Sequence, residues 1–432
     1  MATRAQTPRA PRKKREPSPT RNSPRAAAEL TSKGNGSQPK LNNGKASGKA
    51  APVSEFLRTN QRLALITPEQ FEKLIATLII DGFDVIGPSV RDGAITYEPV
   101  KSVRELPVGW TDEQEPARYR LKKSDSPAFF AYSLGAQSWK PYLHPAEVRL
   151  FAAEKQDSAF HILNNEDTAP SRVFLGVRAC ELAAIQSQDR VLLGDKYRDP
   201  IYAARRESAL IIAVQCSYAA ATCFCASLGS GPKVGEGFDL LVTELVDQNG
   251  HRFVVEPGTD RGMGLLARLD AKPAPEADLT AAESAVAAAA QQQRKLDSTG
   301  LKEFLYENFE NPHWDKIAAR CLSCANCTMS CPTCFCTTVD DATDVTGTQA
   351  ERWRRWDSCF TQSFSYIHGG SIRTSAKARY RQWMTHKLAA WTDQFGSSGC
   401  VGCGRCITWC PAAIDITEEV RAMREGGVRA DA

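Results

Sequence analysis

The chain has 432 residues, of which 42% are hydrophobic and 24% charged, a composition typical of a globular protein with two or three domains. Its longest apolar runs fall well short of the roughly 18 residues that a membrane helix needs, so no membrane span is predicted. The net charge is +4, and the first 50 residues contain 12 Lys or Arg against 2 Asp or Glu. The rest of the chain is therefore mildly acidic.

Residues 1–55 are rich in Pro, Ser, Gly, Asn, Lys and Arg and nearly lack aromatic residues. Because they cannot bury enough apolar surface to offset the entropy of ordering, we predict a disordered basic tail. A solvated tail explains the basic run at 12–15 more simply than nucleic-acid binding, so no nucleic-acid partner is expected. Repeated prolines break the amphipathic helix of a transit peptide, and no apolar signal core precedes the folded part. We therefore expect a cytoplasmic protein without a membrane partner.

The first predicted element is a helix that begins after Thr67. Pro68 suits the first helical position, and Gln70 completes a capping box with Thr67. Short β-rich runs then alternate with helix-compatible segments such as Glu181–Leu193. These runs are Phe83–Ile86, Val173–Val177, Leu210–Val214, Asp239–Leu245 and Arg252–Val255. The alternation predicts an α/β domain over residues 56–270.

The composition changes after this domain. Residues 271–297 are rich in Pro, acidic residues and Ala, which predicts a linker with a connecting helix. A helical pattern resumes with Phe304, Leu305 and Trp314 and predicts a second domain over residues 298–420. A short polar tail is predicted over residues 421–432.

The 15 cysteines fall into three groups: four lie in 180–225, seven in 321–359 and four in 400–410. Two quartets share the spacing C-x2-C-x2-C-x3-C-P; they are Cys321, Cys324, Cys327 and Cys331, and Cys400, Cys403, Cys406 and Cys410. In two-cluster proteins the fourth cysteine of such a run usually ligates the other cluster. The spacing therefore predicts two [4Fe-4S] clusters. One is bound by Cys321, Cys324, Cys327 and Cys410, and the other by Cys400, Cys403, Cys406 and Cys331.

Zinc and disulfides are the alternatives for these quartets. Zinc sites favour C-x2-C pairs a dozen or more residues apart, often with histidine, and disulfides are uncommon without a secretory signal. The 68 residues between the quartets exceed the separation in small ferredoxins and include the helix-compatible run Thr374–Trp391. The predicted fold class is α+β multidomain, with an N-terminal α/β domain plus a C-terminal helical dicluster ferredoxin domain.

A third group of cysteines follows two predicted strands. Cys180 and Cys216 each come shortly after a strand, at the edge where open α/β sheets bind ligands. Cys223 and Cys225 follow in a glycine-bearing loop. The four predict a third [4Fe-4S] cluster, with another metal, a flavin-adjacent site or structural thiols as alternatives.

Three arginines near this group, Arg178, Arg205 and Arg206, are predicted to stabilise thiolate charge in a cofactor site. Cys334, Cys336 and Cys359 are left over. For these three, packing beside a cluster is favoured over binding something extra.

Several strings outside the quartets carry a family resemblance. They are Ser138–Pro145, Gly176–Ala184, Cys223–Cys225 with Gly229–Pro232, Gly237–Leu240, Cys331–Cys336 and Trp356–Cys359. Together they resemble the beta, iron–sulfur subunit of the cytoplasmic hydrogenase/sulfur reductase (sulfhydrogenase) family, to which the iron–sulfur subunit of anaerobic sulfite reductase is related. The resemblance covers about residues 56–420. It implies an electron carrier between a flavin subunit that handles NAD(P)H and a pair of NiFe hydrogenase subunits.

The sequence thus predicts a non-catalytic electron-transfer subunit of a soluble NiFe-hydrogenase/sulfur-reductase complex. An anaerobic sulfite reductase would use the same parts and is the first alternative. The non-redox alternative is a zinc-stabilised scaffold or nucleic-acid-binding protein. The six histidines are dispersed along the chain, so no catalytic base or nucleophile is predicted.

Overall fold

The computed structural model describes residues 63–427 apart from Leu134, Ser158, 165–168 and Asp195. The predicted basic tail of residues 1–55 lies outside the described residues, and so does the end of the predicted polar tail, at 428–432.

The helices of the described ranges are α1 Pro68–Ile80, α2 Lys140–Leu143, α3 Ala179–Leu192, α4 Pro200–Ser208, α5 Asp260–Leu266, α6 Glu276–Ala289, α7 Leu301–Glu307, α8 His313–Arg320, α9 Asn326–Met329, α10 Ala376–Thr385, α11 Trp391–Phe395, α12 Arg405–Thr408 and α13 Ile416–Gly427. Single 3-10 turns occur at Val103–Glu105, Cys225–Leu228 and Ala267–Leu269, and a π turn spans His386–Ala390. None of these helices has the length and apolar character that a membrane span requires.

The strands are β1 Ala64–Ile66, β2 Asp84–Arg91, β3 Ala94–Pro99, β4 Trp110–Glu115, β5 Arg118–Lys123, β6 Glu147–Gln156, β7 Ala159–Asn164, β8 Arg172–Val177, β9 Leu210–Val214, β10 Leu240–Asp247, β11 Gly250–Pro257, β12 Lys272–Pro273, β13 Thr337–Thr343, β14 Gln349–Trp356, β15 Tyr366–Ile367 and β16 Gly370–Ser371. The β-rich runs predicted from the sequence are confirmed in β2, β8, β9, β10 and β11.

The larger sheet has eight strands in the order β12-β1-β11-β10-β9-β8-β2-β3. Its middle strands β10, β9, β8 and β2 are parallel to one another, and the outer pairs are antiparallel. Every residue of β9 is buried, as expected of a strand that is covered on both faces. One apolar cluster, with Phe71 and Phe253, packs on one face, and another, with Trp139 and Phe174, packs on the other.

Helix α1 begins as its sequence predicts. The Gln70 backbone N–H donates to Thr67 Oγ1 (3.3 Å), and the Thr67 N–H donates to Gln70 Oε1 (2.9 Å), which completes the capping box. The helix buries Phe71, Leu74 and Leu78 against the sheet. Its amphipathic stripe therefore anchors one face of the α/β part.

A smaller antiparallel sheet joins distant parts of the chain, in the order β13-β14-β6-β7. Strand β14 pairs with β6, so the hairpin β13–β14 from the cysteine-rich region adds to strands from the first half of the chain. This hairpin is not among the elements predicted from the sequence. Cys336 comes just before β13 and Cys359 shortly after β14, so both lie at the end of the hairpin opposite its turn.

The C-terminal part is built mainly from helices, which confirms the predicted fold class. Helices α7, α8, α10 and α13 surround an apolar core with Trp314, Ile317 and Met384 at its centre. The predicted helical run Thr374–Trp391 appears as α10, the π turn and the start of α11. Many of the cysteine-bearing loops pack against this core.

Candidate metal centres

The first candidate centre, site 1, brings together the four thiols that the spacing assigns to one cluster: Cys321, Cys324, Cys327 and Cys410. All four line one cavity, with Tyr380 and Trp383 among the residues of its apolar wall. Burial raises the pKa of the Cys327 thiol well above its usual value, and Cys321, Cys410 and Cys324 raise it further. Site 1 also reaches the surface, because Cys324 is exposed.

The loop of site 1 wraps around its own sulfur atoms. Helix α8 ends at Arg320, and Ser323 and Ala325 then adopt left-handed conformations (φ 51° and 66°). The Ser323 N–H donates to Cys321 Sγ (3.5 Å), and the Ile414 N–H donates to Cys410 Sγ (3.4 Å). Such N–H···S contacts orient thiolate ligands and stabilise their charge.

The second candidate centre, site 2, is formed by Cys400, Cys403, Cys406 and Cys331. Burial raises the pKa of Cys406 well above its usual value, and the neighbouring Cys400, Cys403 and Cys331 raise it further. Burial likewise raises the pKa of Cys400 to about 12. The four thiols therefore lie close enough together to shift one another's pKa values. Cys331 is buried, and the other three are partly buried.

Site 2 repeats the backbone of site 1 with glycines. Gly402 and Gly404 have φ values of 60° and 75°, at the positions that correspond to Ser323 and Ala325. The Gly402 N–H donates to Cys400 Sγ (3.4 Å), as Ser323 does to Cys321. The two quartets thus fold into the same loop, as their shared spacing suggests.

A buried lysine compensates charge at site 2. Lys387 Nζ donates to Cys331 Sγ (3.2 Å), Thr333 Oγ1 (3.0 Å) and the Gly399 carbonyl (3.2 Å). Its side chain comes from the π turn after α10. Only tertiary packing brings Lys387 to the cysteines of site 2, because it lies more than ten residues before Cys400 in the chain.

The third candidate centre, site 3, contains Cys180, Cys216, Cys223 and Cys225. Cys180 lies in the first turn of α3 after β8, and Cys216 follows β9. Because β8 and β9 are adjacent and parallel, their carboxyl ends bring these residues to the same edge of the sheet. Burial raises the pKa of Cys223 to about 12 and that of Cys225 to about 11.

Polar side chains contact the thiols of site 3. Arg178 is buried and donates from Nη1 to the Gln215 carbonyl (3.0 Å), next to Cys216. Burial raises the pKa of the Cys216 thiol, and the Arg178 guanidinium opposes that rise. Gln292 Nε2 donates to Cys225 Sγ (3.1 Å). Arg178, predicted as a cofactor-site residue, therefore lies beside a predicted ligand, whereas Gln292 carried no sequence signal.

The other two predicted arginines lie on α4. Arg206 Nε donates to Asp189 Oδ2 (3.2 Å), and Arg205 is on the same helix. Asp189 also accepts from the hydroxyl of Tyr202 (2.7 Å). The observed partner of Arg206 is thus a carboxylate of α3 rather than a thiol.

Sites 2 and 3 are in direct contact. The Phe224 N–H donates to the Gly402 carbonyl (2.9 Å), and Cys180 and Cys225 pack in one apolar cluster with Val401 and Cys403. Cys403 also raises the pKa of Cys180 and of Cys225. On the opposite side, Cys327 of site 1 raises the pKa of Cys406 of site 2.

These residues fit sulfur-ligated iron. All the convergent donors are thiols, which suit iron–sulfur clusters and zinc. Their burial is costly for free thiolates, whereas coordination deprotonates a thiol outright. Among the described residues, no three His, Cys, Asp or Glu side chains converge closely enough for a single metal ion. A four-iron cubane is larger than one ion and holds its ligands farther apart.

The comparisons with known proteins agree with this chemistry. A family model described as a 4Fe-4S dicluster domain matches residues 320–414, the range of sites 1 and 2. The chain is 33% identical over 358 residues to the sulfhydrogenase 2 subunit beta of Pyrococcus furiosus, an alignment that covers 79% of this chain and 92% of the relative. No solved structure matches the chain.

The resemblance seen in the sequence is thereby confirmed over most of the chain, including the α/β part that lies outside the dicluster domain. The chain belongs to the family of sulfhydrogenase beta subunits, with a [4Fe-4S] dicluster domain for electron transfer.

Proposed function

We propose that this protein is the electron-relay subunit of a soluble NiFe-hydrogenase/sulfur-reductase complex. In that complex it would carry electrons between an NAD(P)H-linked flavin subunit and the hydrogenase subunits. We further propose that sites 1, 2 and 3 each bind one [4Fe-4S] cluster, with the twelve cysteines named above as ligands. The proposal goes beyond the family assignment in naming the partners, the number of clusters and their ligands.

The observation that carries the proposal is the continuity of the three thiol groups. Cys406 of site 2 lines the same cavity as Cys327 of site 1, and Cys403 of site 2 packs against Cys180 and Cys225 of site 3. A relay requires redox centres that lie close together in a protein matrix. Three groups of four thiols in contact, one after another, meet that requirement.

The chain's own residues would set the properties of each centre. Iron–sulfur clusters supply one-electron transfer, at potentials that depend on hydrogen bonds to sulfur, burial and nearby charge. Ser323, Gly402 and Ile414 each donate a backbone N–H to a thiol. Lys387 adds a positive charge at site 2. These contacts favour the more negative, reduced state.

Iron and sulfide analysis of the anaerobically purified chain tests the cluster number. Three cubanes supply about twelve iron and twelve sulfide per chain. Cys403→Ser should remove the EPR signal of site 2, and Cys216→Ser should remove that of site 3 while leaving the dicluster signals. Colourless protein with stoichiometric zinc would contradict the redox function.

The partners are tested separately, by anaerobic affinity purification of the tagged chain from its native cells. Nickel and flavin should co-purify in stoichiometric amounts, and the complex should reduce its sites with NADH or NADPH. A sirohaem protein in place of nickel would overturn the hydrogenase assignment and favour a sulfite reductase.

A further inference from the structure

Three thiols lie outside the twelve of sites 1 to 3: Cys334, Cys336 and Cys359. Two of them are fixed by the hairpin β13–β14. Cys336 immediately precedes β13 and Cys359 follows β14, whose ends pair through Thr337 and Trp356. The Asp357 N–H continues the ladder by donating to the Cys336 carbonyl (2.8 Å). Cys336 and Cys359 consequently lie at the same end of the hairpin, and each thiol shifts the pKa of the other.

The third thiol joins them from the preceding loop. Cys334 follows Cys331 of site 2 by three residues, and it raises the pKa of the Cys359 thiol. Cys359 in turn neighbours Cys327 of site 1. The three thiols, here called the thiol trio, therefore form one group beside both centres of the dicluster domain.

A buried cation faces the trio. Lys140, only 6% exposed, donates from Nζ to the Cys334 carbonyl (3.2 Å) and lies 3.8 Å from the centre of the Trp356 ring. No Asp or Glu within the described ranges forms an ion pair with its ammonium. Burial lowers the pKa of Lys140, and negative charge on Cys334, Cys331 or Cys336 would act in the opposite direction.

An ammonium buried without a counter-charge is strongly unfavourable, because it loses its hydration and gains no opposite charge in return. If the three thiols were neutral, the contacts of the Lys140 ammonium would be the Cys334 carbonyl and the Trp356 ring. An anionic group held by the trio would neutralise it, as Lys387 is placed to do at Cys331. Lys140 is therefore placed to act as the counter-charge of an anionic group held by the three thiols.

We propose that Cys334, Cys336 and Cys359 bind a further iron–sulfur cluster through three cysteine ligands, with Lys140 as its counter-charge. This inference rests on the proposed relay function, because the same sulfur and iron chemistry fills the neighbouring sites. The cluster would lie beside Cys327 and Cys331 at once. It would thus provide a second route for electrons beside sites 1 and 2.

Iron content and EPR of the full anaerobic chain test this assignment. With three clusters at sites 1 to 3, a further cluster raises the total from about twelve iron per chain to about fifteen or sixteen. The double variant Cys336→Ser/Cys359→Ser should lose that increment and keep the signals of sites 1 to 3. Ser358→Ala is the matched control, because it alters a buried residue of the same segment without removing a thiol, and it should retain all the iron.

The iron content of the wild-type chain distinguishes a failure of this inference from a failure of the proposed function. Twelve iron per chain, with no change in the double variant, would overturn the inference while leaving the relay function intact. Zinc bound by the trio would also overturn it. A wild-type chain without iron–sulfur signals would instead overturn the proposed function itself.

A second variant keeps the test valid if the double variant does not fold. Lys140→Met removes the buried charge but retains an unbranched side chain. It should shift the reduction potential of the additional signal to a more negative value, because a nearby cation favours the reduced cluster. The exposed Lys101→Met is the control and should leave the potential unchanged. An unchanged potential in Lys140→Met would show that the lysine faces no redox centre.

Discussion

At the scale of single residues, one buried ion pair connects the dicluster domain to the α/β part. Arg405 of the second quartet donates from Nη2 to Glu181 Oε1 of α3 (2.5 Å), and both side chains are 1% exposed. Tyr97 and Trp139 also donate to Glu181, at 2.8 and 3.1 Å. The pair therefore holds site 2 against the helix that carries Cys180 of site 3.

Removing one partner of this pair should be strongly destabilising. Glu181→Gln leaves the Arg405 guanidinium buried without its counter-charge, which typically costs about 3 to 5 kcal/mol. We expect the free energy of unfolding, measured anaerobically in denaturant, to fall by that amount. Glu425→Gln, which breaks an exposed pair with Arg421, is the control and should change it by less than about 1 kcal/mol. Equal effects of the two substitutions would contradict the role assigned to the buried pair.

A buried histidine predicts how stability depends on pH. His144 is 1% exposed, and neither ring nitrogen has a hydrogen-bond partner. Burial lowers its pKa from 6.5 to about 4, assisted by the nearby Arg354. The unfolded chain therefore takes up a proton before the folded chain does. Stability from this residue is lost as the pH falls from about 6.5 towards 4.

The wild-type chain should therefore lose about 1 kcal/mol of unfolding free energy between pH 7 and pH 5.5 through His144 alone. His144→Gln should remove this part of the pH dependence, as measured by anaerobic denaturant titrations at the two pH values. His161→Gln, at an exposed position on β7, should retain it. If the unfolding free energies of wild type and His144→Gln change equally between the two pH values, the buried histidine is not the source of the pH dependence.

At the scale of elements, the loop of site 2 needs its glycines for the approach of site 3. A Cβ at Gly402 would lie 2.6 Å from the Cα and N atoms of Cys225, and one at Gly404 would lie 2.4 Å from the Thr222 carbonyl. The corresponding Ser323 and Ala325 of site 1 carry side chains in the same left-handed conformation. Conformation alone therefore does not require glycine here, whereas the close contact does.

Gly402→Ala should distinguish the effect of the left-handed backbone conformation from that of the close contact with the Cys225 loop. The new methyl must displace the Cys225 loop, so we expect about four iron per chain to be lost from site 3 while the signal of site 1 remains. Gly396→Ala is the control, since its φ of 69° is also left-handed but nothing lies within 4 Å of the new Cβ. It should cost only about 1 kcal/mol and no iron. Full iron content in Gly402→Ala would contradict the tight packing of sites 2 and 3.

The elements that the sequence predicts well are those encoded locally. The capping box of Thr67 and Gln70, the apolar run of β9 and the repeated quartet loops each follow from a few neighbouring residues. The meeting of Cys180 with Cys216 follows from a general rule about parallel strand ends.

The contacts that the sequence could not predict are long-range. Lys387 and Gln292 reach thiols, and Lys140 reaches the Cys334 carbonyl, only through tertiary packing that no local spacing marks. The pairing of β14 with β6 joins residues about two hundred positions apart. The turn of the hairpin β13–β14 does have a local sequence signal. The Asp344 carboxylate accepts hydrogen bonds from the backbone N–H groups of Thr348 and Gln349 there.

At the scale of the whole molecule, the three sites differ in how far they lie from solvent. Site 1 has the exposed Cys324, and the adjacent Leu322 is 67% exposed. Site 3 has three buried cysteines, Cys180, Cys223 and Cys225, behind the loop of site 2. Site 1 is therefore the centre best placed to exchange electrons with a partner at the surface, and site 3 the one best protected from solvent.

This gradient predicts the order in which the centres decay in air. Oxygen reaches an exposed cluster without any opening of the fold, whereas a buried one requires local unfolding. After exposure to air, the EPR signal that Cys324→Ser removes should disappear first, and the signal that Cys216→Ser removes should disappear last. A parallel sample kept under argon controls for spontaneous loss of iron. If the site 3 signal decays first, oxygen reaches that site by a route other than the surface at Cys324, and the order of solvent protection assigned to the three sites would be contradicted.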